Sequence, residues 1–361
     1  MTVTLVGVVF ALVLILMQCG LFLSFLDTSA NVVAHSKADL WITAPGVPHV
    51  NGGTALQAAN RFKALQVPGV ERVDRYILCW VHWKLPAGSV EVVDAAGFDL
   101  AGGMGGPWNI VAGSLEDLRA DDTVMVDTLY LPKLGIRGIG DTVEINGKKA
   151  RVVGLTHGIR SFTTAPYLFT SFKNALNYAS FAIGPEQATF FLVRTRPGAD
   201  LQTVKREIQA RLPDLDVYTT AEMTWKTQYY WVFETGAGLT TMMGAVLGLF
   251  VGVVIVAQTI YAATVDHIRE FGTLKAIGAS NGNIYQVILT QAGISALMGY
   301  VIAIFVAKLI ADSSAEGLLP LFLPPQVAAG AFVLALAMCM GASLLSIRKA
   351  TTIDPAMVFR T

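Results

Sequence analysis

The sequence predicts a membrane protein with four transmembrane α-helices and a large α+β extracytoplasmic domain inserted between helices 1 and 2. Three observations predict it. First, the runs 1–26, 236–265, 284–307 and 326–347 contain no Asp, Glu, Lys or Arg, and each is long enough to cross a hydrocarbon core of about 30 Å. Second, residues 27–235 carry interspersed charges and a succession of strand, turn and helix signals, enough chain to bury a core of its own. Third, basic residues collect on one side: Arg269 and Lys275 follow helix 2, and Arg348, Lys349 and Arg360 follow helix 4, against Lys308 alone after helix 3. Four spans then leave both termini in the cytoplasm and 27–235 outside.

Composition agrees. Of 361 residues 53% are apolar and 14% charged, with formal net charge zero, a balance foreign to ordinary soluble domains. No sustained basic face exists, which argues against a nucleic-acid partner. Cys19 and Cys339 fall in uncharged runs and leave Cys79 alone in 27–235, so no disulfide can staple that stretch.

Taken in order, 1–26 is a retained membrane helix. A secretory signal would have a shorter apolar region and a positive flank, which Met1-Thr2 does not supply. Ala38–Ala44 reads as a strand ending at Pro45-Gly46, and Thr54 as the cap of a helix running to Lys63. Strands Tyr76–Lys84 and Val90–Val93 flank the turn Pro86-Ala87-Gly88-Ser89. Gly102–Gly106 (GGMGG) has no strand leading in and no helix opening after it, so it reads as a flexible loop and not a phosphate cradle. Val124–Val126 is a strand, Leu129–Leu134 a short helix, and Asp141–Ile145 with Lys149–Leu155 a hairpin about Asn146-Gly147. Phe190–Thr195 reads as a buried strand. Asp200 caps a helix with Leu201, Val204, Ile208 and Leu212 on one face, and Asp216–Thr219 is a last strand. Trp225, Tyr229, Tyr230 and Trp231 precede the second apolar run and read as an interfacial aromatic belt.

Helix 2 carries Gly244, Gly248 and Gly252 at four-residue spacing, a stripe for close helix packing within the chain or between two copies. The loop 266–283 (DHIREFGTLKAIGASNGN) places Ile268, Phe271, Leu274 and Ile277 every third residue, with Arg269, Glu270 and Lys275 elsewhere. It predicts a short amphipathic helix at the membrane surface that stops at Gly278; its plainest role is a cytoplasmic turn with positive-inside charges. Helix 3 ends near Ala307, 308–325 is an outer loop, and 348–361 is a cytoplasmic tail.

Several chemistries lack their residues. The five histidines are scattered without metal-ligand spacing, and the carboxylates of 27–235 are spread as on a solvated surface. No charge lies within an apolar run, which argues against an ion-coupled carrier. No G-x-x-x-x-G-K-[ST] or G-x-S-x-G sequence occurs.

The segment REFGTLKAIGAS resembles the coupling-helix segment of the MacB/FtsX-type (LolC/LolE/DevC-like) ABC transporter permease family. The places that carry the pattern are Arg269, Glu270, Phe271, Gly272, Lys275, Gly278 and Ala279. VPGVERV with the following strand, the run VMVDTLYLPKLGIRGIGDTVEINGKKARVVGL, and the tail residues Arg348, Lys349, Asp354 and Pro355 are similar to the family's core domain and closing segment. The family also has a basic amphipathic stretch before its first helix, so this start is either truncated or lacks that anchor.

The resemblance implies a non-catalytic permease subunit in the bacterial cytoplasmic (inner) membrane. It implies no cofactor on this chain, ATP being bound and hydrolysed by a separate ABC ATP-binding subunit. A homodimer or a pairing with a similar permease is implied, and a membrane fusion protein and outer-membrane duct are admitted as further partners. Phe271, Leu274 and Ile277 would then be the buried face of the ATPase contact and the charged residues its rim. The motion would serve export or extraction of a substrate from membrane or periplasm. Two alternatives use the same body: an FtsX-like signalling permease that activates a cell-wall hydrolase, and a membrane-anchored binding protein without an ATPase.

Overall fold

The computed structural model describes residues 2–351 apart from Ala182 and Leu319; Asp354, Pro355 and Arg360 lie outside the described residues. In chain order the elements are α1 (Thr2–Ala34), β1 (Leu40–Thr43), α2 (Ala58–Leu65), β2 (Val70–Lys84), β3 (Val90–Phe98), β4 (Ile110–Ala112) and β5 (Thr123–Asp127). There follow α3 (Leu131–Leu134), β6 (Thr142–Ile145), β7 (Lys148–Thr156), β8 (Tyr167–Ser171), α4 (Phe172–Tyr178), β9 (Phe190–Thr195), α5 (Leu201–Arg211), β10 (Asp216–Thr219) and α6 (Thr220–Tyr229). A π-helical turn, Tyr230–Glu234, precedes α7 (Ala237–Asp266), α8 (Ile268–Ala276), α9 (Asn281–Ser314) and α10 (Pro325–Thr351). The chain forms two compact units: one from residues up to Ser24 together with those from Gly238 onward, the other from Phe25–Ala237.

In the second unit, strand order follows from one long strand. The first half of the 15-residue β2 pairs antiparallel with β9 over Val70–Tyr76, ending the arm β10-β1-β9-β2 of one ten-stranded sheet. Its second half pairs with β3 over Tyr76–Lys84. From β3 the pairing passes through β8, β5, β7 and β6, and β6 returns to β2 through Trp83↔Ile145 and Lys84↔Glu144, closing a six-stranded ring. Along the ring half of β2, Cys79, Val81 and Trp83 are buried while Trp80, His82 and Lys84 are exposed, the period-two pattern of a strand with one face on a core.

Between its β9 and β6 pairings, the edge of β2 is satisfied by side chains. Thr189 Oγ1 accepts from Leu78 N, Ser180 Oγ donates to Trp80 O, and Asn146 Oδ1 accepts from His82 N. The shared core is aromatic: Trp41 meets Tyr76 and Phe190 edge-on at 5.7 and 5.5 Å.

In the first unit α1 is the hub. Were a Cβ added to Gly252 of α7, it would lie 3.1 Å from Ile15 Cδ1 and 3.3 Å from Ala11 Cβ; at Gly244 it would lie 2.9 Å from Gln18 Oε1, and at Gly248 3.4 Å from Gln18 Cγ. The glycine stripe therefore lies against α1 of the same chain, most tightly at Gly252, where Ile15 and Ala11 would have to give way to a side chain. Val8 of α1 is as close to Gly299 of α9, and Ala292, Ala296 and Ala303 of α9 with Ala335, Met338 and Cys339 of α10 complete the buried interior.

Several expectations are corrected. α1 continues through the exposed Asp27, and α9 through Lys308 and Asp312 to Ser314: a charge ends an apolar run without ending a helix. Thr54 caps nothing; α2 begins at Ala58, because Leu56 exchanges backbone hydrogen bonds with Ala188 and keeps the chain extended. GGMGG is packed, with Met104 fully buried, Gly105 N donating to Ser36 O at 2.8 Å, and no room for a Cβ beside Tyr76. Tyr230 and Trp231 leave the expected belt to pack on His49, Trp231 also on Phe162. Trp225, Tyr229 and Phe233 form an exposed ring ladder.

The carboxylates are not all solvated. Asp74, Asp94 and Asp127 are buried. Asp127 accepts from Thr156 Oγ1, Leu129 N and Ile159 N, tying β5 to β7. Among the described residues Asp94 has Asn51 and Trp80 as side-chain donors, and burial pushes its carboxyl up to about 7. The folded domain therefore holds a proton that the unfolded chain has released, and this contribution to stability is lost as pH rises from the ordinary carboxylate range through about 7. All six tryptophans lie within Phe25–Ala237, so tryptophan fluorescence reports this unit alone. Thermal unfolding followed that way should show stability falling between pH 5 and pH 8, and Asp94→Asn should flatten that fall; an unchanged slope would refute the assignment.

Candidate functional site

The candidate site is α8 with its two junctions. His267 precedes the helix, its Nδ1 2.9 Å from Glu270 Oε1, and its carbonyl accepts from Glu270 N and Phe271 N. At the other end Gly278 adopts φ +101, a left-handed conformation that favours glycine. Gly278 N donates to Lys275 O and Ala279 N to Leu274 O, both at 3.0 Å, the paired closure of a Schellman stop. Ser280 then caps α9, its Oγ accepting from Asn283 N. Gly-Ala-Ser thus encodes stop, link and start.

Among the described residues Phe271 is the large apolar side chain that α8 buries. Phe271 is 4% exposed and packs with Ile284 and Ile288 of α9. Leu274 is 37% and Ile277 77% exposed. Residues three apart on a 3.6-residue helix are offset by about 60°, so a stripe at that spacing winds away from any one face. The expectation that Phe271 lends its ring to a partner is corrected: the ring is spent on α9, and the apolar surface left outside is Leu274 and Ile277.

Arg269 and Glu270 are exposed beside them, Gly272 is buried and Lys275 half-buried. Gly244, Gly248 and Gly252 belong elsewhere; Gly252 lies fourteen residues before Asp266, about 21 Å along α7. A cavity of about 50 Å³ adjoins His267 and is lined also by Thr264, Ile288, Gln291 and Ser295. Sequence reasoning missed His267, Ser280, Ile284 and Ile288. The last two, four residues apart in the first turns of an apolar run, were the available signal for a face turned toward α8.

Phe271→Ala should lower stability by about 3–5 kcal/mol, as emptying a buried aromatic site does, whereas Ile277→Ala should change it by about 0.5 kcal/mol or less. Thermal melts of the detergent-solubilised chain by circular dichroism separate the two.

Comparison with known proteins covers most of the chain. The FtsX-like permease C-terminal model matches residues 242–355, and the MacB-like periplasmic core domain model matches residues 1–211. The uncharacterized ABC transporter permease Rv0072 of Mycobacterium tuberculosis is 25% identical over 230 residues, 62% of this chain and 58% of that protein. The uncharacterized ABC transporter permease MJ1507 of Methanocaldococcus jannaschii is 26% identical over 184 residues, 48% of this chain and 44% of that one. The chain thus spans 58% of the length of the first of these relatives and less of the second. Among solved structures, the periplasmic region of MacB from Actinobacillus actinomycetemcomitans aligns with TM-score 0.41 and 10% identity, over 53% of this chain and 92% of that one. With four helices among the described residues long and apolar enough to cross a membrane, and one family model covering more than half its length, the chain is a multi-pass membrane protein that belongs to the MacB/FtsX-type ABC transporter permeases.

Proposed function

We propose that this chain is the permease subunit through which a separate ABC ATPase drives an extracytoplasmic domain, for export or extraction of a substrate from the membrane or periplasm. The observation that carries the proposal is the presentation of Leu274 and Ile277. Two apolar side chains stand exposed on a helix that Phe271 fastens to α9, flanked by exposed Arg269 and Glu270. A small apolar centre with a charged rim is the anatomy of a protein contact. In this reading the ATPase binds α8 from the cytoplasm, both termini lie inside, residues 27–235 lie outside the bacterial inner membrane, and two permease copies or a pair of similar permeases carry two ATPases. Nucleotide chemistry stays on the ATPase, whose closure pushes on α8.

Co-purification in mild detergent tests it. The wild-type chain should carry an ATP-binding subunit, and Leu274→Asp with Ile277→Asp should lose it without changing the circular dichroism spectrum. Cysteines placed at Ile277 and at Lys148 should react with a membrane-impermeant maleimide from opposite sides of the membrane. Labelling from the same side, or an ATPase retained by the double variant, would overturn the proposal.

A further inference from the structure

Lys84, Glu144 and Lys149 stand in a row across three strands of the ring. Lys84 of β2 is the register partner of Glu144 on β6, and Glu144 is the register partner of Lys149 on β7. One carboxylate therefore lies between two ammonium groups, since such cross-strand neighbours sit about 4.5–5.5 Å apart at Cβ. Lys84 Nζ engages it at 2.9 Å. Among the described residues neither Lys149 nor Arg137 has an ion-pair partner.

This row and Arg137 line a cleft of about 580 Å³, within the range of small-molecule sites. Its opposite wall is the loop after α3, and that loop is held in place. Gly135, at φ +67, sits against Pro86, where an added Cβ would be 2.7 Å from Cδ. Asp141 turns its carboxylate to the backbone N–H groups of Arg137, at 2.6 Å, and Gly138, at 3.4 Å. Its hydrogen-bonding capacity is therefore directed into the loop. The apolar lining open to solvent is Leu85, Pro86 and Ile136, with Trp83, Leu134 and Val143 buried behind it and the Trp83 indole N–H donating to Leu134 O at 3.1 Å.

We propose that this cleft binds a small anionic amphiphile, its head group between Lys149 and Arg137 and its apolar body against Leu85, Pro86 and Ile136. The excess of cations selects the charge of the head, because a hydrogen bond between two ionised groups is stronger than one between neutral groups. The apolar lining selects a tail over a free anion. The site lies wholly within the inserted domain and does not depend on an ATPase pairing with the chain.

Isothermal titration calorimetry of the full chain in neutral-lipid nanodiscs, with empty nanodiscs as blank, tests this with hexyl phosphate, hexanol and inorganic phosphate as probes. Hexyl phosphate should bind about tenfold or more tightly than either fragment. Arg137→Gln with Lys149→Gln should weaken it about tenfold, and Glu144→Gln should tighten it by releasing Lys84 and removing a negative charge from the cleft. Hexanol binding as well as hexyl phosphate would reduce the site to an apolar surface. Inorganic phosphate binding as well would remove the apolar seat, and affinity unchanged in the double variant would remove the cationic head site. Any of the three overturns the proposal.

Discussion

Phe271 is the side chain by which a nine-residue surface helix is fastened to a membrane-spanning one. Helices that short are marginal in water on their own, since a helix pays its nucleation cost before propagation repays it. α8 therefore owes its persistence to what it touches: the Phe271 ring on Ile284 and Ile288, the Schellman closure at Gly278, and the cap that Ser280 gives the next helix. Once that ring is committed inward, helical geometry fixes what remains outside. Leu274 and Ile277 are displaced from the buried face in successive steps of about 60°. Their exposure is a consequence of the same packing that holds the helix.

The inserted domain rests on an analogous economy. β2 joins the two arms of one ten-stranded sheet, and Tyr76, where its pairing passes from one arm to the other, is the register partner of both Phe98 and Phe190. A strand shared in this way makes the packing of one arm depend on the other, and Trp41 of one arm also contacts Tyr76 and Phe190 through side chains. The ring closes back on β2 through only two residue pairs. Where the ladder stops, Asn146, Ser180 and Thr189 satisfy the backbone, as buried polar groups of a main chain require. The cleft lined by Lys84, Glu144 and Lys149 lies at this short closure.

Much of this was legible because its signals are local. Absence of charge marks the spans, and the turns Pro86–Ser89 and Asn146-Gly147 do separate paired strands. Asp200 does cap α5, its side chain accepting from Thr203 N. The failures share a cause in contacts distant along the chain. Thr54 has the chemistry of a cap, but the Leu56–Ala188 bridge holds its segment extended. GGMGG has the composition of a mobile loop, yet Tyr76 and Phe98 approach Gly105 and Gly106 too closely for any side chain. The return of β6 to β2 joins residues about sixty apart and leaves no mark in either segment. In the candidate site the stop at Gly278 was readable from residue type, whereas the inward turn of Phe271 required knowing which face of α9 was available.

The two junctions of α8 decide what a force applied there would do. On the α7 side no loop intervenes: His267 N donates to Ala263 O, and the His267 carbonyl accepts from Glu270 N and Phe271 N, so hydrogen bonding is continuous through the bend. On the α9 side the link is Gly278 to Ser280, and both flanking helices close their own ends onto it. A segment tied by hydrogen bonds at each end and by a buried ring in the middle has little freedom to swing alone, because each motion would break a bond or empty a packed site. Displacement of Leu274 or Ile277 by a bound partner would therefore be carried into α7 and α9 together and not absorbed in the turn. α7 leads back along its glycine stripe to α1, so the helix pair on either side of the inserted domain would receive the displacement in concert.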